Sequence, residues 1–189
     1  DLEIAQVKFE GETINKIVKG KEITEDGDVY EGEMKDGFYH GYGVRTKLDG
    51  ERYEGHWVEL FQQGYGTQVW PDGTTYTGEW FEGIPHGKGK IKTPSGYAYE
   101  GDFVNGGFEG KGTLVWPDGQ KYVGQFKDSQ PHGYGVGTSA DGKKTFKVSL
   151  NGNGSKCEVI SRVVAKDNSC QNFKSTVIGN KSCYGRVEC

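Results

Sequence analysis

The sequence predicts an all-β fold: an extended, twisted, single-layer sheet of tandem 23-residue β-hairpins, followed by a small disulfide-bonded β segment. Three observations predict it: a tyrosine every 23 residues, an alternation of period two within each repeat, and a turn signal between repeats. The tyrosines are Tyr30, Tyr53, Tyr76, Tyr99 and Tyr122. A fixed period of this kind indicates a repeat architecture in which each repeat is one supersecondary unit.

The glycine content, 32 of 189 residues, follows the same period. In the third repeat, glycines stand two, eleven and thirteen residues after the tyrosine, at Gly78, Gly87 and Gly89. Glycine weakens a strand by itself, but it leaves a flat patch of backbone on which an aromatic ring from a neighbouring strand can lie. We therefore expect a spine of aromatic rings stacked on glycine pairs.

The alternation inside a repeat predicts two short strands. In residues 76–80, tyrosine, glycine and tryptophan share one face, while threonine and glutamate take the other. Residues 87–92 place glycines and an isoleucine opposite three lysines. We expect a loop over residues 81–86 to join the two strands, and an Asp-Gly turn such as Asp72-Gly73 to close each repeat.

These motifs resemble a known repeat. Tyr-x-Gly-x-Trp, then His-Gly-Lys-Gly, with Trp-Pro-Asp-Gly at the turn, is similar to the MORN (membrane occupation and recognition nexus) repeat, over residues 30 to about 142. The resemblance implies an elongated, twisted sheet of hairpins that acts as a scaffold, a dimerisation surface or a docking surface. It implies no catalytic activity. Leu60 and Ser129 depart from the pattern, because most repeats have glycine there.

The chain divides into three predicted segments. Residues 1–29 form a degenerate capping repeat, residues 30–142 hold the five repeats, and residues 143–189 form a degenerate repeat with a basic, cysteine-rich tail. Residues 1–142 carry 14 Lys+Arg against 24 Asp+Glu, a net charge of −10, and the remainder carries 9 against 3, a net of +6. An acidic body argues against a nucleic-acid partner. No apolar run approaches the ~20 residues of a membrane span.

The tail predicts an extracellular protein. Four cysteines in its last 33 residues favour two disulfides over a zinc site, because no Cys-x-x-Cys motif is present. Their pairing stays open among three possibilities. Two glycosylation acceptors, Asn153 and Asn180, lie in the same polar segment. The cysteines are Cys157, Cys170, Cys183 and Cys189.

Neither a metal site nor a cofactor is expected. His40, His86 and His132 recur every second repeat, which places them roughly 20 Å apart in a sheet, too far to share a metal ion. We expect these histidines on loops. Carboxylates also recur on the polar face, and cross-strand pairing with lysines explains them better than glycosidase chemistry does. They are Glu31, Glu33, Glu54, Glu79, Glu100 and Asp102.

The aromatic face is the predicted binding surface. A single-layer sheet leaves an apolar face partly open unless something covers it, so either the sheet curls on itself, or a second copy or a protein partner lies across the middle repeats. Trp70 and Trp116 are expected to be partly exposed. The leading interpretation is a secreted, non-catalytic binding or scaffold protein. A carbohydrate- or small-ligand-binding protein is the alternative, and a shallow carboxylate enzyme is the third. The predicted binding residues are Trp57, Trp70, Tyr76, Trp80, Tyr99 and Trp116.

Overall fold

A computed structural model describes residues 16–143, 145–150, 157–163, 176–178 and 181–183. Every regular element in these residues is a β-strand. The strands are β1 Ile17–Ile23, β2 Val29–Lys35, β3 Phe38–Thr46, β4 Arg52–Val58, β5 Phe61–Val69, β6 Thr75–Phe81, β7 Ile84–Lys92, β8 Ala98–Val104, β9 Gly107–Val115, β10 Lys121–Lys127, β11 Gln130–Thr138, β12 Thr145–Leu150, β13 Cys157–Val163, β14 Thr176–Ile178 and β15 Lys181–Cys183. The all-β prediction is confirmed.

The chain forms two compact units, residues 1–89 and 90–189, and the boundary falls within β7. In the first unit, β1 to β6 pair in chain order, each antiparallel to the next. In the second unit, β8 to β13 follow the same rule. Strands β14 and β15 form a separate two-stranded sheet. The tandem-hairpin prediction is therefore confirmed, while the three predicted segment boundaries stay predictions.

The turn within each repeat is shorter than expected. Strand β6 continues to Phe81 and β7 begins at Ile84, so the connection is only the pair Glu82-Gly83. Both residues have positive φ, 48° and 79°, which is the two-residue turn whose twist matches that of the strands. The predicted loop over residues 81–86 is wrong for this reason. So is the loop assignment of the histidines, which lie on strands β3, β7 and β11.

The Asp-Gly turn closes each repeat as a three-residue hairpin loop. Trp70 donates its backbone N–H to the carbonyl of Thr74, and Gly73 donates to the carbonyl of Trp70. Gly73 has a φ of 82°, the left-handed conformation that such a loop requires at its last position. The predicted hairpin turn at this point is confirmed.

The predicted aromatic spine is also present. The ring of Tyr53 lies over Gly55 and Gly66, which are paired on adjacent strands. A Cβ built on Gly66 would overlap that ring. The same arrangement recurs at the other four tyrosines, all of them buried. Glycine at these paired positions is thus required by the ring above it.

The spine rings contact one another edge to face. Tyr53 lies between Trp57 and Trp80, with ring centroids 4.9 and 5.2 Å away. Trp80 donates its indole N–H to the carbonyl of Gly66 at 3.2 Å, so that its one polar atom is satisfied. In the second unit, Phe126 packs on Tyr99 at 4.8 Å. Aromatic pairs of this geometry add about 0.5–1.5 kcal/mol each beyond the area they bury.

The tail predictions fall outside the described residues. Cys170, Cys189, Asn153 and Asn180 are not described, and the side chains of the two cysteines in β13 and β15 are not described either. The disulfides and the glycosylation sites stay predictions.

Alanine at Gly66 tests the spine. Its added methyl overlaps the Tyr53 ring, so we expect Gly66→Ala to lower the free energy of unfolding by about 1–3 kcal/mol. Gly20→Ala is the matched control, because a Cβ on this strand glycine meets only the sulfur of Met34, at 3.5 Å. Urea unfolding of both variants checks it. Equal losses at the two positions would contradict the ring-on-glycine account.

Candidate binding surface

The spine face is closed by its own rings. Because side chains alternate along each strand, Tyr53, Gly55 and Trp57 lie on this face, and Glu54 and His56 lie on the other. The large spine side chains are almost inaccessible: Tyr30, Tyr53, Trp57, Tyr76, Trp80, Tyr99, Phe103, Tyr122 and Phe126 are 0–5% exposed. In this conformation the spine face needs no external cover, because the rings lie flat on glycine backbone and cover one another.

The hydroxyl of each spine tyrosine also donates a hydrogen bond to a backbone carbonyl. Tyr76 donates to the carbonyl of Glu79 at 2.8 Å, and Tyr99 donates to that of Asp102 at 3.0 Å. Burial raises the pKa of Tyr122 to about 12. Burial likewise raises the pKa of Tyr30, Tyr53, Tyr76 and Tyr99 above the ordinary value. These phenols are hydrogen-bond donors within the fold and offer no proton for chemistry at neutral pH.

Three of the six recurring carboxylates of the polar face accept hydrogen bonds from backbone N–H groups. In four of the repeat hairpins the strand pairing slips immediately after the first glycine of the spine pair, as between Gly55 and His56. A glycine with positive φ on the facing strand absorbs the slip, and the next backbone N–H loses its ladder partner. Glu33 accepts the N–H of Tyr42 at 3.0 Å and Glu79 accepts that of Lys88 at 2.8 Å. Asp102 does the same for Lys111 at 3.0 Å.

Two more of the six polar-face carboxylates form ion pairs. Glu100 lies 3.1 Å from Lys90, which confirms the predicted cross-strand pairing, and Glu54 lies 2.6 Å from Arg52. Glu54 also accepts the hydroxyl of Tyr42 at 2.7 Å, and these hydrogen bonds lower the pKa of Glu54. Among the side chains that the structure describes, no group of three histidine, cysteine or acidic residues is placed to hold a metal ion.

Exposed apolar side chains instead gather at the tips of three hairpins in the first unit. We define the tip row as the turns Asp36-Gly37, Glu59-Leu60 and Glu82-Gly83 together with their flanking residues Phe38, Val58, Phe61, Phe81 and Ile84. All six apolar members, Leu60 included, are 43–57% exposed. By alternation, the flanking residues lie on the face opposite the spine.

Hydrogen bonds join the tips to one another. Leu60 donates its backbone N–H to the carbonyl of Tyr39, and Gly83 donates to the carbonyl of Gln62, at 3.2 and 2.9 Å. Glu82 donates its N–H to the side-chain amide oxygen of Gln63 at 3.0 Å. The second and third tips are thus each fixed to the preceding hairpin, which holds their exposed side chains in a defined arrangement.

Comparison with known proteins identifies the repeat. A model of the MORN repeat matches five consecutive stretches, residues 30–52, 53–75, 76–96, 99–121 and 122–144. The chain belongs to the MORN repeat family. No match is found among curated protein sequences. As is general for MORN repeats, the fold is that of a non-enzymatic repeat protein.

Two solved structures that match this MORN repeat chain resemble it distantly. The TCP domain of SAS-4 (dCPAP) from Drosophila melanogaster, in complex with a proline-rich motif of Ana2 (dSTIL), is 14% identical with a TM-score of 0.39. The match covers 84% of this chain and 98% of that one. Virginiamycin B lyase from Staphylococcus aureus is 17% identical with a TM-score of 0.21, covering 72% and 42%.

The predicted binding residues separate into two groups in the MORN sheet. Trp57, Tyr76, Trp80 and Tyr99 are buried in the spine, which leaves these rings almost no surface to offer a partner in this conformation. Trp70 and Trp116 are half-buried, as expected, and each begins a three-residue turn. The role of all six in binding stays a prediction.

The tip row was missed from the sequence, although its signal is present. The fifth and eighth positions after each tyrosine are apolar in the middle MORN repeats and become polar towards the last. In chain order they are Lys35, Val58, Phe81, Val104 and Lys127, then Phe38, Phe61, Ile84, Gly107 and Gln130. The predicted loop over residues 81–86 puts Phe81 and Ile84 in a connection, where alternation along a strand does not apply to them.

The described residues contain no helix long and apolar enough to span a membrane.

The spine phenols predict a loss of stability in alkali. Their pKa values are higher in the folded chain than the ~10 of an unfolded tyrosine, so the unfolded state loses these protons first. The phenols' contribution to stability, which is constant below pH ~10, should be lost as pH rises from about 10 towards 12. Urea unfolding at pH values from about 7 to 11 measures this.

Tyr53→Phe provides the control for the alkaline effect. It removes one phenol, so its stability should fall less steeply above pH ~10, after a loss of about 1 kcal/mol at neutral pH from the missing hydrogen bond. Parallel pH curves for the two proteins would show that the buried phenols are not the cause.

Proposed function

We propose that this chain is a secreted, non-catalytic scaffold that binds a protein partner through the tip row of its first unit. One observation carries the proposal: apolar side chains at neighbouring hairpin tips are held half-exposed, while the rings of the spine are buried. The three phenylalanines alone leave about 300 Å² of aromatic surface open, since each ring offers about 150–250 Å². Patches of this size on soluble proteins mark interaction sites.

Leu60 supports a role for the tip row beyond folding. This leucine has a φ of 75°, a left-handed conformation that costs a non-glycine residue about 1–2 kcal/mol. The equivalent turn position is glycine at Gly37 and Gly83. Since its side chain is 46% exposed, burial does not offset that cost. Strain of this kind concentrates at functional positions.

Charge specifies the partner. Each tip carries one carboxylate beside the apolar residues, from Asp36, Glu59 and Glu82. Residues 1–142 as a whole have a net charge of −10. Complementary charge favours encounter and selects against wrong partners. The proposed partner therefore presents apolar side chains flanked by lysine or arginine.

Leu60→Gly separates binding from folding. Relief of the strained backbone, less the extra chain entropy of glycine, should raise the free energy of unfolding by about 0.5–1 kcal/mol. The same change removes an exposed contact, so affinity for the partner should fall. A residue kept only for folding would not give these opposite signs.

The partner for this measurement is obtained by crosslinking. A photo-reactive phenylalanine analogue at Phe61 captures it from the native fluid, and the same analogue at Leu48, which is 78% exposed outside the tip row, is the control. Binding of the purified partner to the wild type, Leu60→Gly and Leu48→Gly is then measured. Equal crosslinking at the two sites, or unchanged affinity of Leu60→Gly, would contradict the proposal. Binding to a glycan array alone would favour the carbohydrate alternative.

The extracellular assignment is a separate proposal, supported by the four clustered cysteines and the two acceptor asparagines. Such clusters are typical of secreted chains. Thiol titration of the denatured, unreduced protein from its native source should find no reactive thiol. Any free thiol, or bound zinc, would contradict it.

A further inference from the structure

The tip row recurs at the spacing of an α-helical heptad. Successive tips are separated by two strands, or about 10 Å. Seven residues of an α-helix advance about 10.5 Å. A helix lying along the row, across the strands, therefore presents equivalent positions to Asp36, Glu59 and Glu82 in turn. The three tips span about 20 Å, which about 14 helical residues cover.

We propose that the ligand of the tip row is a basic amphipathic helix with an apolar seam at heptad spacing. This inference rests on the proposed function and names its partner. The seam packs on Phe61, Phe81 and Ile84, and the lysines or arginines that flank it face the tip carboxylates. Burying an apolar helix face in an apolar strip of this kind is an established mode of peptide recognition.

The hydrogen bonding of the row favours a helix over an extended segment. A bound strand needs free backbone N–H and C=O groups at a sheet edge. Here the N–H groups of Leu60, Glu82 and Gly83 already donate within the chain. A helix forms its backbone hydrogen bonds internally, so it needs only apolar surface and charge from the tip row.

Charge and shape at the row fit the same ligand. The described contacts give the side-chain carboxylates of Asp36, Glu59 and Glu82 no partner in the chain, so they are available to lysine or arginine. A hollow of about 390 Å³ lies at the first tip, lined by Lys35, Asp36, Phe38, His40 and Glu59. Its lining is mostly charged or polar, with one aromatic wall at Phe38, so it accepts a flanking lysine of the helix whose charge faces Asp36 and Glu59.

The test uses a designed peptide of about 21 residues, three heptads with leucine at the a and d positions and lysine at e and g. Its fluorescein-labelled form should bind the full chain with a Kd on the order of 10 µM or tighter. Its circular dichroism should gain helix on binding. Affinity should fall as salt concentration rises, because the flanking charges are exposed. The control peptide has the same composition, but its leucines are moved away from the a and d positions of the heptad.

Variants of the protein locate the site. Phe61→Ser and Phe81→Ser should each weaken binding about tenfold or more, as expected for central aromatic contacts. Glu59→Lys and Glu82→Lys should each weaken it about fivefold or more. The controls are Leu48→Ser for the loss of an exposed apolar residue and Glu25→Lys for the same change in net charge. Both should leave the Kd within about twofold.

Several outcomes would overturn the inference. These are equal binding of the scrambled peptide, equal loss in Glu25→Lys and Glu59→Lys, or no binding of the designed peptide at all. If the crosslinked natural partner still needs Leu60 while the helical peptide fails, the tip row binds a partner of another shape, and the proposed function stands without the helix. If Leu60→Gly also leaves the natural partner unaffected, both proposals fall.

Discussion

The structure depends on the contact between a tyrosine ring and a pair of glycines on adjacent strands. Each ring can lie flat only because neither glycine has a Cβ, and each phenol then reaches a backbone carbonyl beyond the pair, as Tyr76 does at Glu79. The closeness of this contact explains how a chain with only 33% hydrophobic residues builds a core without a second layer. The rings supply the layer that another sheet or a helix supplies elsewhere.

The same contact sets the character of the opposite face. Because the spine rings fill one face, the other face carries bulge-capping carboxylates, ion pairs and exposed tyrosines such as Tyr42. Glu33 illustrates the capping, since its carboxylate accepts the backbone N–H of Tyr42 beside the bulge of the first repeat. The carboxylates recur with the repeat because the bulge recurs, and this periodicity is structural in origin.

Neither the ring-on-glycine contact nor the capping of the bulge determines the side chains of the tip row. Its side chains lie beyond the spine and beyond the bulge, where the fold asks only for a two-residue turn with positive φ. Phe61, Phe81 and Ile84 are therefore not explained by packing, and Leu60 is held against its backbone preference. Where the fold does not determine the residue type, contact with a partner can determine it.

The sequence by itself determined the repeat, the strand pairs and the aromatic spine, because a period of 23 with alternation at period two leaves few other arrangements for Tyr76, Gly78 and Trp80. Only the tertiary structure decided what the spine leaves exposed. Alternation places Trp57 and Val58 on opposite faces, but how far each side chain is covered depends on its neighbours in space, which sequence periodicity does not specify. The two-residue turns were likewise hidden, since the positive φ of Glu59 and Leu60 is imposed by hairpin twist against their own propensity.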